Sequence, residues 1–368
     1  MLKKKPYIRV CEPDITKKEI KYVTEAISTG QISSTTKYVE LFENNFAKKF
    51  SVDYAIAVNS GGSALFLALW SLGIRNGDEV IVPTFTMIAT ANAVVHCGAT
   101  PIFVDCETNG NIDHTQIEDK ITTRTKAIIP VHIYGHPCDM DEINAIARKY
   151  NLHVIEDAAE AHGALYKNKK VGSLGHAACF SFYANKLMTT GEGGMIVTND
   201  KKLAHHLRKL RGYFFSEEMH FWHKSLAWNL RLGSLQAALG LGQLERLDDL
   251  VEKRRRNAKY YTKKLSGLSD DIIFPSEKKG VKSVFWMYGL ILKKEGLRDK
   301  LMEFLEKNGI ETRTYFFPMH WQPIYKENGK YSQADYLGKH GLYLPSSSHL
   351  SDVDKDRITD LIKRFFKK

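Results

Sequence analysis

Of the 368 residues only five are cysteine, at positions 11, 97, 106, 138 and 179, and no two of them form a Cys-x-x-Cys pair. An odd, scattered set excludes a disulfide framework and a zinc knuckle, and reduced thiols suit a cytosolic enzyme. Long apolar runs are also lacking. The stretch from Ala64 to Leu72 stops at Gly73, well short of a membrane span. The basic start, Met-Leu-Lys-Lys-Lys, reaches Glu12 and Asp14 without the apolar core of a secretory leader. A cytoplasmic protein with no membrane partner is therefore expected. The sequence shows no internal repeat and no low-complexity segment. Its net charge of +11 is spread among 42 acidic residues. The densest basic run, Lys253-Arg-Arg-Arg256, continues a helix-like stretch from Gln243. That reads as a solvated helix face, so no nucleic-acid partner is expected.

What is present is enough for a full core. With 43% hydrophobic residues over this length, two domains are expected, one large and one small. Between Asp53 and Asp200 short apolar strands alternate with helical segments, the pattern of a mostly parallel sheet covered by helices on both faces. The strands are read as Tyr54–Val58, Glu79–Val82, Pro101–Val104, Ala127–Val131, His153–Ile155 and Phe180–Phe182, with helices over Ser63–Leu72, Thr90–Cys97 and Met140–Tyr150. After Asn199 the chain reads helical to Arg211, irregular and aromatic from Tyr213 to Trp228, and as one long helix from Ser234 to Leu265. A C-terminal section follows, with a strand at Phe285–Leu292 and helices at Leu297–Asn308 and after Ser351. The boundary is placed near residue 250, giving a large α/β domain over 1–250 and a smaller C-terminal α+β domain over 251–368.

Ligands of such a sheet gather at the carboxyl ends of its strands, and four features fall there. Asn59-Ser-Gly-Gly-Ser-Ala64 follows a strand and opens a helix, where glycine amides and a helix N-terminus favour a phosphate; a plain tight turn explains it about as well. Val154-Ile-Glu-Asp-Ala-Ala-Glu160 puts Asp157 beyond a buried strand, where a carboxylate can keep a pyridine nitrogen protonated or simply cap the next turn. Ser181 and Lys186 offer a hydroxyl for phosphate and an amine that becomes a carbonyl nucleophile when desolvated. Gly191-Glu-Gly-Gly194 permits a tight turn before the strand Met195–Thr198. It precedes a strand and not a helix, so it fails as a dinucleotide loop. A phosphate cup, an acid for the ring nitrogen and a lysine on one sheet edge together describe a pyridoxal phosphate site.

The order and wording of these segments resemble the fold-type I aminotransferases of the DegT/DnrJ/EryC1/StrS family, which act on nucleotide-linked keto-sugars, from about Ile8 to Phe366. Further matching stretches are Gln31-Ile-Ser-Ser34, Val131-His-Ile-Tyr-Gly135 with Cys138-Asp-Met140, Val284-Phe-Trp-Met-Tyr288, and Glu311-Thr-Arg313 with Phe317-Pro-Met-His320. The resemblance implies that Lys186 carries the Schiff base and Asp157 pairs with the ring nitrogen. It implies that Glu160 lies near the ring hydroxyl and that Ser181 with the amides of Gly61 and Gly62 holds the phosphate. It further implies glutamate as amino donor and a homodimer with shared sites, Asn229 reaching the cofactor phosphate of the other subunit. Met87 stands where the family has a ring-stacking aromatic, giving a thioether contact unless Phe85 serves instead. Related sugar dehydratases carry histidine where this chain has Lys186, so lysine argues for amino transfer.

The expected substrate is a nucleotide-linked 4-keto-6-deoxyhexose, GDP-4-keto-6-deoxymannose first. A UDP- or dTDP-linked keto-sugar aminated at C4 or C3 is the alternative. A non-catalytic pyridoxal phosphate-binding regulator is the reading from another class, and it gives no reason for Lys186, Asp157 and Glu160 to coincide. Arg231 and Arg313 are candidates for the diphosphate, against surface or interdomain ion pairs. His320 lies in the aromatic stretch Tyr315–Gln322, which suits a sugar or base pocket or packing between domains. His132, His136, Cys138 and Asp139 have ligand side chains, but Gly135 and Pro137 deny them helical i, i+4 spacing, so no metal is expected. The unusual segment from Tyr213 to Ser234 is expected to help decide which sugar binds.

Overall fold

The computed structural model describes residues 6–367 apart from 217 and 220. The first five residues of the N-terminal stretch considered as a leader, and Glu217 of the aromatic segment, lie outside the described residues. The larger core is built on a seven-stranded sheet. In spatial order its strands are Tyr54–Val58, Gly194–Thr198, Ala177–Ser181, His153–Asp157, Thr125–Ile128, Glu79–Pro83 and Thr100–Val104. All run parallel except Gly194–Thr198, which pairs antiparallel with both neighbours. Its inner strands carry continuous apolar runs because both faces are covered: every residue of Glu79–Pro83, Ala177–Ser181 and Gly194–Thr198 is buried.

Helix placement follows from side-chain pattern and caps. Met140–Tyr150 buries the stripe Met140, Ile143 and Ala147. Gly61–Ser71 begins where the Ser60 hydroxyl accepts from Ser63 N at 3.0 Å, an N-cap that stops the strand and starts the helix. The helix Lys37–Phe50 sends Phe42, Phe46 and Phe50 against Phe180 and Phe182, with ring centroids 4.2–6.0 Å apart.

A second, smaller core packs around a four-stranded antiparallel sheet ordered Ile272–Ile273, Tyr288–Leu292, Gly341–Leu344, Arg313–Thr314. The helices Leu297–Lys307 and Asp352–Phe366 cover it, the latter opened by a Ser351 capping box. Two expectations change here. The long helix is two, Ser234–Glu245 and Leu247–Leu265, broken at Arg246. Arg246 reaches the carboxylates of Asp14 at 2.7 Å and Glu19 at 2.8 Å, a tertiary anchor that local pattern does not announce. The strand read from Phe285 starts only at Tyr288, because Phe285 sits at φ +47°.

The helix Leu247–Leu265 joins the two cores. Leu247, Leu250 and Val251 belong to the larger, and Ala258, Tyr261 and Leu265 to the smaller. A strap before Tyr288 also stitches them together. Val281–Lys282 pairs with Leu165–Tyr166 of the large unit, and then Val284 N and Trp286 N donate to the carbonyls of Gly135 and Tyr134.

Candidate active site

The strand ends named in the sequence meet on one edge of the large sheet. Asp157 closes its strand and Ser181 closes the next. Gly61 begins the helix after the first strand, and Gly194 enters the antiparallel strand from the same side. These pieces touch. A Cβ on Gly61 would lie 2.7 Å from Ser181 Cβ and 3.2 Å from its Oγ, and one on Gly194 would lie 2.8 Å from Gly61 N and nearer still to the Ser60 carbonyl. Glycine at 61 and 194 is therefore required for close approach. At Gly62 a Cβ would meet nothing nearer than 3.9 Å, so this position is not closed by packing. A helix N-terminus with unpaired amides favours an anion there.

Asp157 is buried, its Oδ2 accepting from Thr90 Oγ1 at 2.8 Å and its Oδ1 from Ala159 N at 3.2 Å. Burial raises its pKa above the ordinary carboxylate value, opposed by the Thr90 hydrogen bond, the Ala159 amide and the Lys186 charge. Glu160, also buried, accepts from Tyr134 N at 2.7 Å and faces Lys186 Nζ at 3.6 Å. Burial lifts its carboxyl to about 6, with Lys186 acting against it. The Lys186 side chain is 11% exposed, and its Nζ lies 3.9 Å from the centroid of the Trp286 ring.

Other expected residues are placed less directly. Met87 is exposed and its Sδ accepts from Ala89 N at 3.0 Å. Phe85 is fully buried against Tyr134, Tyr315 and Phe316, so it cannot stack on a ligand at the mouth. Met87 and Arg313 line a cavity of about 550 Å³ with Thr86, Phe316, Phe317 and Tyr343. Arg313 donates to Glu311 Oε1 from Nη2 at 3.1 Å and is half exposed. Arg231 is partly buried, its guanidinium 5.4 Å from the Tyr213 ring, and Asn229 beside it is exposed. Main-chain pairing holds that segment against the site edge, Val58 bridging Arg231 and Asn59 N donating to Leu230 O.

His320 differs from the substrate-facing position considered for it. It is buried, with Nδ1 2.8 Å from Thr84 Oγ1 and Nε2 2.8 Å from Asp335 Oδ1, so both ring nitrogens are engaged in packing. Of the four ligand-type residues considered for a metal, His132 is bound by Glu156 Oε2 at 3.1 Å and by Cys138 N at 3.0 Å. His136 Nδ1 lies against the Pro137 carbonyl, and Asp139 joins Glu107 and His114 around the Lys278 ammonium. Sequence reasoning missed three groups. Thr90, on the helix Ala89–His96, supports Asp157. His162, two residues past Glu160, is buried against Phe180 and Phe182. Burial and then the Lys186 charge push its imidazole down to about 3, so it is neutral beneath the lysine. Trp286 covers the lysine itself; it stood inside a matched stretch, yet nothing in the sequence assigned it a contact.

The residues present fit pyridoxal phosphate: a glycine-opened helix N-terminus packed against Ser181, a buried carboxylate at a strand end, and a shielded amine 3.6 Å from Glu160. The DegT/DnrJ/EryC1/StrS aminotransferase family model matches residues 13–363. The chain belongs to this family. The family is pyridoxal phosphate-dependent, and the chain is a sugar aminotransferase of fold type I. It is 46% identical to the GDP-perosamine synthase of Caulobacter vibrioides, covering 96% of each chain. It is 43% identical to the GDP-perosamine synthase of Escherichia coli O157:H7, covering 98% of this chain and 99% of the relative. Among solved structures, that of Streptomyces venezuelae DesV in complex with ketimine intermediate superposes with a TM-score of 0.93 at 34% identity, over 99% of this chain and 100% of that one. Among the described residues no helix is long and apolar enough to cross a membrane.

Proposed function

We propose that this aminotransferase moves the amino group of glutamate onto C4 of GDP-4-keto-6-deoxymannose, giving GDP-perosamine. The observation that carries the choice of sugar is the 43–46% identity to two GDP-perosamine synthases over nearly the full length of each chain. Pyridoxal phosphate, when bound, supplies an aldehyde for the amine and an electron sink for the carbanion. In this reading Lys186 would hold the cofactor through its amine and, when that amine is free, would carry a proton from the donor carbon as a base and return it as an acid. Asp157 would keep the ring nitrogen protonated, Glu160 would lie near the ring hydroxyl, and Ser181 with the Gly61 and Gly62 amides would take the phosphate. Met87 would lie against the ring. Arg231 and Arg313 are the cations assigned to the diphosphate; the engagement of both His320 nitrogens argues against a direct substrate role for it.

We also propose a homodimer with shared sites. Asn229 is exposed at the site edge, and the segment before it turns out Phe221, Trp222 and Leu226, which are 74%, 57% and 71% exposed. A second copy would cover that apolar surface and receive Asn229 at its phosphate. The working division stays near residue 250, within the helix that joins the cores. The unpaired thiols support a cytoplasmic location.

The test is a panel of GDP-, UDP- and dTDP-linked 4-keto-6-deoxy sugars incubated with glutamate and scored by mass for ketone-to-amine conversion. Conversion of the GDP member is expected. Turnover of only the UDP or dTDP members would sink the perosamine reading and leave the class intact.

A further inference from the structure

We infer that Trp286 is a positioning residue for Lys186, its indole face carrying the free ammonium and its ring N–H fixing the main chain that precedes the lysine. This rests on the proposed role of Lys186. Lys186 Nζ is 3.9 Å from the indole centroid and 3.6 Å from Glu160 Oε1. The ammonium therefore rests on a ring face with one carboxylate at its side. A cation over tryptophan is attracted by the ring face, the more so where water is largely excluded.

The same side chain acts on the backbone. Trp286 Nε1 donates to the Asn185 carbonyl at 2.7 Å, and Cys11 Sγ donates to that carbonyl at 3.1 Å. Trp286 is itself held firmly. Its N–H donates to Tyr134 O at 3.0 Å, its carbonyl accepts from Arg254 Nη1 at 3.1 Å, and it is 3% exposed. Phe285, immediately before it, takes the uncommon φ of +47°. Gly135 leaves room for the strap, since a Cβ there would come 3.3 Å from Trp286 N and closer still to Val284. The contacts close a ring: Glu160 to Tyr134 N, Tyr134 O to Trp286 N, the indole to Asn185 and Lys186, and Lys186 back to Glu160. A lysine has four rotatable bonds, and a proton shuttle works only from a narrow range of positions. Trp286, presented by the strap from the smaller core, confines the amine to that range.

The test compares Trp286→Phe, which keeps a ring face but loses the N–H, with Trp286→Leu and Trp286→Met, which lose both. One readout needs no turnover: the visible circular dichroism of the pyridoxal phosphate-loaded protein, which reports how firmly the chromophore attached to Lys186 is oriented. The other is the glutamate half-reaction, resolved into its rate at saturating glutamate and its dependence on glutamate concentration. Trp286→Leu and Trp286→Met are expected to lose more than half of the dichroism per bound cofactor. They should slow the saturated rate about ten-fold, with the concentration dependence unchanged. Trp286→Phe, which keeps the ring face but leaves the Asn185 carbonyl without the indole N–H, is expected to fall between wild type and Trp286→Leu in both readouts. The inference is overturned if Leu and Met match wild type, if Phe is as impaired as Leu, or if only the melting temperature falls. A wild-type protein that ignores glutamate would defeat the proposed function, while the dichroism would still decide the role of Trp286.

Discussion

The sheet edge around Lys186 and the segment from Tyr213 to Arg231 are neighbours, yet they are built on opposite terms. At the sheet edge the two carboxylates are buried and held by main chain, Asp157 by Ala159 N and Glu160 by Tyr134 N, and Ser181 is buried at a strand end. Along the segment Phe214, Trp228 and Leu230 pack against the larger core, whereas Tyr213, Met219, Phe221, Trp222 and Leu226 are exposed. A finished surface recognises a constant ligand, the cofactor, whereas an unfinished one is completed by what docks on it. The proposed amino-transfer chemistry is assigned to the first region, and the proposed choice of sugar nucleotide and the proposed subunit contact to the second.

Substitutions can break this contrast. The largest effect is expected from Lys186→Ala, which should lower transamination at least about 10³-fold, measured as amino sugar formed per minute. Asp157→Asn should follow with a loss of roughly 10²-fold, with cofactor binding by equilibrium dialysis nearly retained. Gly194→Ala tests the close approach of strand and helix. Its Cβ would meet the Ser60 carbonyl and Gly61 N, so a destabilisation of about 1–3 kcal/mol in urea unfolding is expected, together with weaker cofactor binding.

Glu160 supplies a pH test. Its folded pKa of about 6 lies above its ordinary 4.5, so between those values the folded chain binds more protons than the unfolded one. Glu160's contribution to the stability of the cofactor-free protein should therefore fall as pH rises from 4.5 to 6, by about 1–2 kcal/mol, against the opposite slope from neutral His162, and Glu160→Gln should remove that part of the slope. The smallest effect on folding belongs to the exposed segment. The pair Phe221→Ser and Trp222→Ser should change stability by less than about 0.5 kcal/mol, yet alter nucleotide preference or the sedimentation of the dimer. If the same pair unfolds the protein while Gly194→Ala does not, the contrast between the two regions is wrong.

Much of the buried region was legible in the sequence because strand-end chemistry is local. The strand Tyr54–Val58 was read as it stands, and those ending near Pro83, Val104 and Thr198 were read to within a residue or so. The cup, Asp157, Ser181 and Lys186 were each visible as a residue type at or just past a strand end, whereas Glu160 was assigned only through the family resemblance. What was not legible depends on distant partners. Arg246 breaks a helix because Asp14 and Glu19 await it, and Phe85 is excluded as a ring partner because Tyr134, Tyr315 and Phe316 enclose it. His320 looked like a ligand residue until Thr84 and Asp335 occupied both its nitrogens. Trp286 lies 100 residues from Lys186 in the chain, so no spacing rule could join them. The exposed segment was legible only as unusual, since what it recognises is not in the chain.

The central claim is that the buried sheet edge performs amino transfer through Lys186, and the absorbance of the pyridoxal phosphate-loaded protein on adding glutamate alone tests it most directly. The account predicts that the yellow chromophore of the wild-type protein fades and that Lys186→Ala shows no such conversion. A wild-type spectrum left unchanged by glutamate would contradict it.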